Sequence, residues 1–350
     1  ADRVRWLEPH FDGAFDKVTL DDLYEQNSQL EGAPRLKDEK VDIASLYTKK
    51  PAQAAVATAI MAEAVQPAYR PNNPDALLDS IGQPMEHHAD AAKQLIGSIP
   101  EKVKEYARDP YGSRMLIYFL LLDSETAIQQ KQMNIIKAQA EPEVFQTLEA
   151  ALPTIGTILP EMRLPIVDLS IPALRFLSKG QYDSFRTIVK LLIDADDQVD
   201  IFEYALQRVL VHHLDPVFSE QTKSKPVNYY AIRGLAAETS VVLSILAHNG
   251  HDSDQVAAEA FASATAKIPD AKADFQCLEK EACTWDSLDA ALDKINESSF
   301  KVKKWVLGAA LACLMHDREI TVEEVELFRA VADSLGCPVP PWVVPTELNG

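Results

Sequence analysis

Apolar residues recur at helical spacing along most of this 350-residue chain, and this pattern constrains the fold more than any other feature. From about residue 85 onward, Pro, Ser or Asp interrupts the pattern roughly every 12 to 20 residues, which is typical of stacked amphipathic helices. Glycine occurs only 12 times and aromatic residues make up 7% of the chain, which disfavours a β-sandwich or a barrel. The sequence therefore predicts an all-α fold built from stacked helical hairpins.

The chain is strongly acidic, with a formal net charge of −19 from 34 Lys and Arg residues against 53 Asp and Glu residues. Because this field repels phosphate groups, we expect no nucleic-acid partner. The most apolar short run, 115–122, has eight residues, whereas a bilayer-spanning helix needs about 20. We therefore expect no membrane insertion by this chain.

Two stretches, 178–214 and 299–335, agree in residue type at a constant offset of 121 residues. Each predicts an amphipathic helix, a short acidic turn and a second helix that begins at once. In the first helix of the first stretch, Phe185, Val189 and Leu192 share one face. We therefore expect two pseudo-repeats of one unit, in which a tight acidic turn joins two helices.

The acidic turns suggest two alternative roles. An EF-hand is excluded, because counting from Asp194 puts Val199 at the position that needs Gly and Ala205 at the position that needs Glu. In a shorter loop, carboxylates could share one divalent cation, and the candidate ligands are Asp196, Asp200, Glu203, Asp317, Glu319 and Glu324. The alternative is that these carboxylates stabilise helix N-termini and are otherwise solvated.

Two pairs of residues in the turns have the spacing of a capping box. Asp200 precedes Glu203, and Thr321 precedes Glu324, by three residues. In a capping box, the two side chains accept hydrogen bonds from each other's backbone N–H groups at the start of a helix. The spacing predicts such a cap at the second helix of each unit.

Sequence motifs of known catalytic sites are missing: the chain contains no HExxH, GxSxG or GxGxxG. The cysteines show no CxxC pairing, which fits a reducing compartment, and we interpret Cys277 and Cys283 as buried helix residues. His248 and His251 flank Gly250, which we interpret as the glycine that ends a helix. The two histidines are then ordinary polar residues at a helix end, and a metal pair is the alternative.

The doubled turns resemble the TerB domain, a helical module named from tellurite-resistance proteins. Its hallmark is an Ala-Asp-Gly-x-(Ile/Val) turn followed by Glu, in two copies. Here the turns read ADDQVDIFE at 195–203 and HDREITVEE at 316–324, with Asp197 and Arg318 in place of the hallmark glycine. The resemblance implies a TerB-like helical domain at the end of the chain and, as one function, the binding or sensing of a divalent metal.

The first residues indicate a larger parent protein. Residues 3–15 (RVRWLEPHFDGAF) resemble the segment that follows the catalytic domain in HtpX-type membrane zinc metallopeptidases. Residues 110–123, 161–186 and 328–342 are similar to the helical extension of some bacterial members. The resemblance implies that the zinc, the active site and the membrane helices belong to a peptidase domain upstream of this chain. It implies a cytoplasmic location here, with the parent anchored in the inner membrane.

Five segments follow from these patterns. They are a linker or tail after a missing peptidase domain (1–50), an Ala-rich helix and Pro-rich linker (51–90), a helical-hairpin region (91–177), a TerB-like domain (178–342) and a tail (343–350). We expect a non-catalytic interaction or regulatory region without a cofactor of its own, whose partners are other proteins or the parent's peptidase domain. The alternatives are a metal-sensing module and a helical hydrolase, which would need a buried cluster of carboxylates and His. The oligomeric state is left open.

Overall fold

The computed structural model describes most of the chain from residue 96 onward. The described ranges are 96–156, 158–196, 198–219, 226–251, 253–269, 274–317, 320–337 and 339. The predicted segments 1–50, 51–90 and 343–350 lie outside the described residues. All described residues belong to one compact unit. The predicted boundary at residue 178 stays a prediction.

The described part of the chain is all-α, as predicted. Its α-helices are α1 (Glu101–Ala107), α2 (Pro110–Leu120), α3 (Thr126–Gln139), α4 (Pro142–Ile155), α5 (Pro160–Leu174), α6 (Lys179–Ile193), α7 (Ile201–Phe218), α8 (Ala236–Gly250), α9 (Asp254–Thr265), α10 (Trp285–Ile295), α11 (Phe300–Leu314) and α12 (Val322–Ser334). Within these residues, β-pairing is limited to one isolated bridge between Tyr229 and Ser298. None of the helices described has both the length and the apolar character that crossing a membrane requires.

Local sequence explains where several helices begin. At the start of α2, a carboxylate oxygen of Asp109 accepts hydrogen bonds from the backbone N–H groups of Tyr111 (2.9 Å) and Gly112 (2.7 Å). Pro110 occupies the first helical position, where no N–H donor is needed. Ser178 caps α6 in the same way, with its side chain accepting from the backbone of the third helical residue.

Both stretches with similar sequences contain the predicted elements. The first holds α6, a turn and α7; the second holds α11, a turn and α12. Asp200 and Glu203 form a capping box at α7, and Thr321 and Glu324 form one at α12, so the predicted caps are confirmed. That the two units are three-dimensional repeats stays a prediction.

Two hydrophobic cores meet at the contact between α7 and α12. The first core is built from helices α1 to α7 and takes Ala330 from α12, whereas the second is built from α8 to α12 and takes Tyr204 from α7. The Tyr204 ring stacks on Trp285 of α10 with ring centroids 4.4 Å apart. Since α7 and α12 form the most extensive helix pair described, this seam fixes the two cores against each other.

Three interpretations of single residues are wrong. Cys277 is exposed and lies outside any helix, and Cys283 is half-buried directly after the short 3-10 helix Lys280–Ala282, so neither is a buried helix residue. Gly250 is the last residue of α8 and does not have the positive φ of a helix-ending glycine. Its role lies in packing, because its missing side chain leaves room for a residue of α12.

Candidate functional site

The three candidate ligands of the first acidic turn are used by the backbone around them. Asp196 accepts a hydrogen bond from the backbone N–H of Gln198 at 3.0 Å. Asp200 accepts from the backbone N–H of Glu203 at 2.7 Å, and Glu203 accepts from that of Asp200 at 3.0 Å. The turn therefore works as the N-terminal cap of α7, which is the role predicted as the alternative to a metal site.

Negative charge accumulates around the Glu203 carboxylate. Burial raises the pKa of Glu203 to about 7, and the charges of Asp200, Asp196 and Asp123 add to the rise, while the hydrogen bond from the Asp200 N–H opposes it. A carboxyl group in these surroundings holds its proton near neutral pH. The turn could accommodate positive charge, in the form of a proton or of a cation.

The second acidic turn differs because its carboxylate is more deeply buried. Glu324 is only 3% exposed. Its Oε2 accepts hydrogen bonds from the backbone N–H and the hydroxyl of Thr321, at 2.7 and 3.1 Å, but its Oε1 has no hydrogen-bond partner among the described residues. Burial raises the pKa of Glu324, and the neighbouring Asp317 charge adds to the rise. Glu319, the remaining candidate in this turn, lies outside the described residues.

His251 completes a group that the sequence did not predict. Its side chain is 1% exposed, and neither ring nitrogen has a hydrogen-bond partner among the residues described. Nδ1 lies 3.3 Å from Oδ2 of Asp317, a distance that allows attraction between charges although the direction is wrong for a hydrogen bond. The His316 ring lies 5.9 Å away, centroid to centroid. No sequence signal connects His251 with Glu324, because 73 positions separate them.

The structure thus places five of the six predicted ligands in two turns. The first turn holds Asp196, Asp200 and Glu203, and the second holds Asp317 and Glu324 beside His251. In the described part of the chain, no group of three or more His, Cys, Asp or Glu side chains is arranged to hold a metal ion. Metal binding at either turn stays a prediction.

A groove with a volume of about 400 Å³ runs between α6 and α7. It lies on the first of the two similar units, and neither Asp200 nor Glu203 lines it. Apolar and polar side chains from both helices line it, among them Tyr182, Leu191, Val211, Arg186, Lys190 and Asp194. The sequence did not predict this groove, although it did predict the apolar face of α6 that forms one wall.

One end of the groove is closed by an aromatic and acidic contact. The Tyr182 ring stacks on Phe218 with centroids 4.3 Å apart, and its hydroxyl donates a hydrogen bond to Asp215. Burial raises the pKa of Tyr182, and the hydrogen bond to Asp215 adds to the rise. Arg186 reaches the same carboxylate at 3.2 Å. These contacts join the start of α6 to the end of α7 and hold the two helices antiparallel.

No protein-family model, curated protein or solved structure matches this chain. The resemblances to the TerB domain and to the extension of HtpX-type metallopeptidases therefore stay predictions.

Proposed function

We propose that this chain is a non-catalytic interaction and regulatory region of a membrane-bound zinc metallopeptidase, on the cytoplasmic side of the membrane. The observation that carries the proposal is the open groove between α6 and α7, a concave surface with apolar walls that a partner could fill. The order of the metallopeptidase-like stretches along the chain supports the identity of the parent. The partner would be another protein or the parent's own peptidase domain.

The arrangement of the two cores supports a scaffold role. Groove walls α6 and α7 belong to the first core, and α7 also packs along α12 at the seam with the second core. A surface mounted on a packed core needs little ordering when a partner binds, which favours affinity. The second core would then serve to hold α7, and with it the groove, in a fixed position.

Three experiments test this function. The purified chain should cleave no protein substrate when zinc is added; zinc-dependent cleavage by this chain would contradict the proposal. The reading frame upstream should encode membrane spans and an HExxH motif, and the peptidase domain it encodes should bind the purified chain in analytical ultracentrifugation. An upstream reading frame that encodes no peptidase would contradict the proposed parent protein.

A second candidate function is a divalent-metal sensor at the acidic turns. The observation that favours it is the burial of His251 and Glu324 with polar atoms that have no hydrogen-bond partner in the described part of the chain, because unpaired buried polar groups are costly and suit a bound cation. In this candidate, small side-chain rotations would bring these groups and Asp317 onto one ion. Metal binding would then tighten the contact between the end of α8 and the start of α12.

Calorimetry separates the two functions. Calcium, magnesium, manganese and zinc should each be titrated into the chain and into Asp196→Ala, Asp317→Ala and the control Asp293→Ala, which removes an exposed carboxylate of α10. If the chain is a sensor, at least one metal should bind with a dissociation constant below the millimolar range. This binding should be lost in one or both turn variants and kept in the control. Equal affinity in all four proteins, or no binding heat, would dismiss it.

A further inference from the structure

We propose that the groove between α6 and α7 binds an amphipathic helix of a partner protein, whose apolar face fills the groove and whose acidic residues contact Arg186 and Lys190. This inference rests on the proposed interaction function and names the class of partner. Three features of the groove support it: its shape, the charged residues along its edge, and the difference in charge between its two ends.

The shape fits a third helix laid against a helical hairpin. The walls are antiparallel helices of 15 and 18 residues, so the shorter wall is about 22 Å long at 1.5 Å per residue. The half-buried side chains of Leu191 and Val211 line the groove from opposite walls. A helix presents apolar side chains three and four residues apart along one stripe, and such a stripe fits between two helices.

The edge formed by α6 carries two basic residues ahead of Asp194, although the chain as a whole is acidic. Arg186 and Lys190 are four residues apart, and both are exposed on the same side of the helix. Lys190 forms no ion pair with any residue that the structure describes, and Arg186 is paired only at one end of the groove, with Asp215. Two acidic residues one turn apart on a partner helix would complement this edge.

The ends of the groove differ in charge, which predicts the direction of the bound helix. Asp194, which forms no ion pair with any described residue, lines the end nearest the acidic turn, whereas at the opposite end the charge of Arg186 is balanced by Asp215. The N-terminus of a helix carries partial positive charge and its C-terminus partial negative charge. The partner helix should therefore begin near Asp194 and run parallel to α7.

The test uses the full chain and a synthetic probe of about 16 residues. The probe is a fluorescein-labelled helical peptide with Leu along one stripe and two Glu residues one turn apart beside it; a matched peptide carries Lys in place of both Glu. Fluorescence anisotropy should show saturable binding of the Glu peptide at micromolar concentrations. Binding of the Lys peptide should be at least tenfold weaker.

Three variants locate the binding. Lys190→Glu should weaken the Glu peptide at least tenfold, and the control Lys267→Glu, an exposed lysine of the second half of the chain, should not change it. Gln207→Trp places a bulky ring in the groove and should abolish binding while circular dichroism keeps the helical signal. A benzophenone at the peptide N-terminus should cross-link near Asp194.

Several results would overturn the inference. The Glu peptide could fail to bind at millimolar concentration, it could bind Lys190→Glu and wild type equally well, or the Lys peptide could bind more tightly than the Glu peptide; each of these results would contradict the inference. Co-sedimentation with phosphatidylglycerol vesicles that is lost in Lys190→Glu, without peptide binding, would assign the groove to lipid instead. If the upstream reading frame encoded the peptidase but the Glu peptide did not bind, this inference would fail while the proposed function survived. If the peptide bound in a way that depended on Lys190 but the frame encoded no peptidase, the proposed function would fail while this inference survived.

Discussion

Glu324 packs against the last residue of α8 at the one place where that helix has no side chain. A Cβ built on Gly250 would lie 2.4 Å from Oε1 of Glu324 and 3.2 Å from its Cδ. The carboxylate cannot easily move away, because its other oxygen is hydrogen-bonded to Thr321 at the start of α12. The glycine thus leaves room for a buried carboxylate between two helices of the second core.

Gly250→Ala should therefore destabilise the protein by about 1–3 kcal/mol, the usual cost of forcing extra volume into a packed interior. Thermal unfolding followed by circular dichroism measures the change. Gly180→Ala is the matched control, since nothing lies within 4 Å of a Cβ at that position in α6. The control should be neutral or slightly stabilising, and an equal loss in both variants would contradict the packing explanation.

Asp200→Ala should cost about 1 kcal/mol of unfolding free energy, because the backbone N–H of Glu203 loses its acceptor at the start of α7. Asp200→Ser keeps a capping oxygen and should restore most of this stability, measured by urea unfolding. The serine variant also separates the two roles of the turn. If Asp200 served only as a metal ligand, serine and alanine would be equally unstable and both would lose metal-dependent stabilisation.

Glu326 should make stability depend on pH. It is 3% exposed; one of its carboxylate oxygens has no partner within the described residues, and the other lies 3.4 Å from Arg163. Burial raises the pKa of Glu326 to about 7 from 4.5, and the attraction of Arg163 offsets only part of the rise. The folded protein binds this proton more tightly than the unfolded chain does. The proton's contribution to the free energy of unfolding is therefore full below about pH 4.5 and is lost as the pH rises through about 7.

Glu326→Gln should remove the part of this dependence that Glu326 supplies and leave the part due to Glu203, whose pKa is also raised to about 7. Relative to wild type, the variant should gain roughly 1–3 kcal/mol at pH 8 and little at pH 5, as judged by urea unfolding at both values. Glu259→Gln, at an exposed position of α9, should leave the difference between the two pH values unchanged. A wild-type protein as stable at pH 8 as at pH 5 would count against a buried, protonated Glu326.

Glu141→Ala should cost about 3 kcal/mol, because it leaves the guanidinium of Arg114, whose side chain is 4% exposed, without its carboxylate partner. The pair is bidentate, with both N···O distances 3.1 Å, and Gln181 of α6 donates to the same carboxylate. Replacing both charges, Arg114→Met with Glu141→Leu, should cost less than Glu141→Ala alone. Glu143→Ala, two residues away and exposed, should change stability by less than about 0.5 kcal/mol.

Much of the local structure could be predicted from the sequence, because it depends on residues a few positions apart. The spacing of Asp200 and Glu203 predicted the capping box that the structure confirms, and the apolar face of α6 is buried as its periodicity predicts. Cys277 shows the limit of this reasoning. An isolated apolar residue without a periodic neighbourhood does not reveal whether it lies in a helix, and this one lies outside any helix and is exposed.

The sequence by itself determined the helical class, the beginnings of several helices and the acidic turns, since periodicity and capping act within one or two turns of the chain. Only the tertiary structure decided that His251 and Glu324 are buried beside the same turn, that Gly250 makes room for the Glu324 carboxylate, and that α6 and α7 leave a groove between them. These features depend on contacts between helix faces that lie tens of residues apart in the sequence. Packing free energy selects those contacts, and no local pattern encodes them.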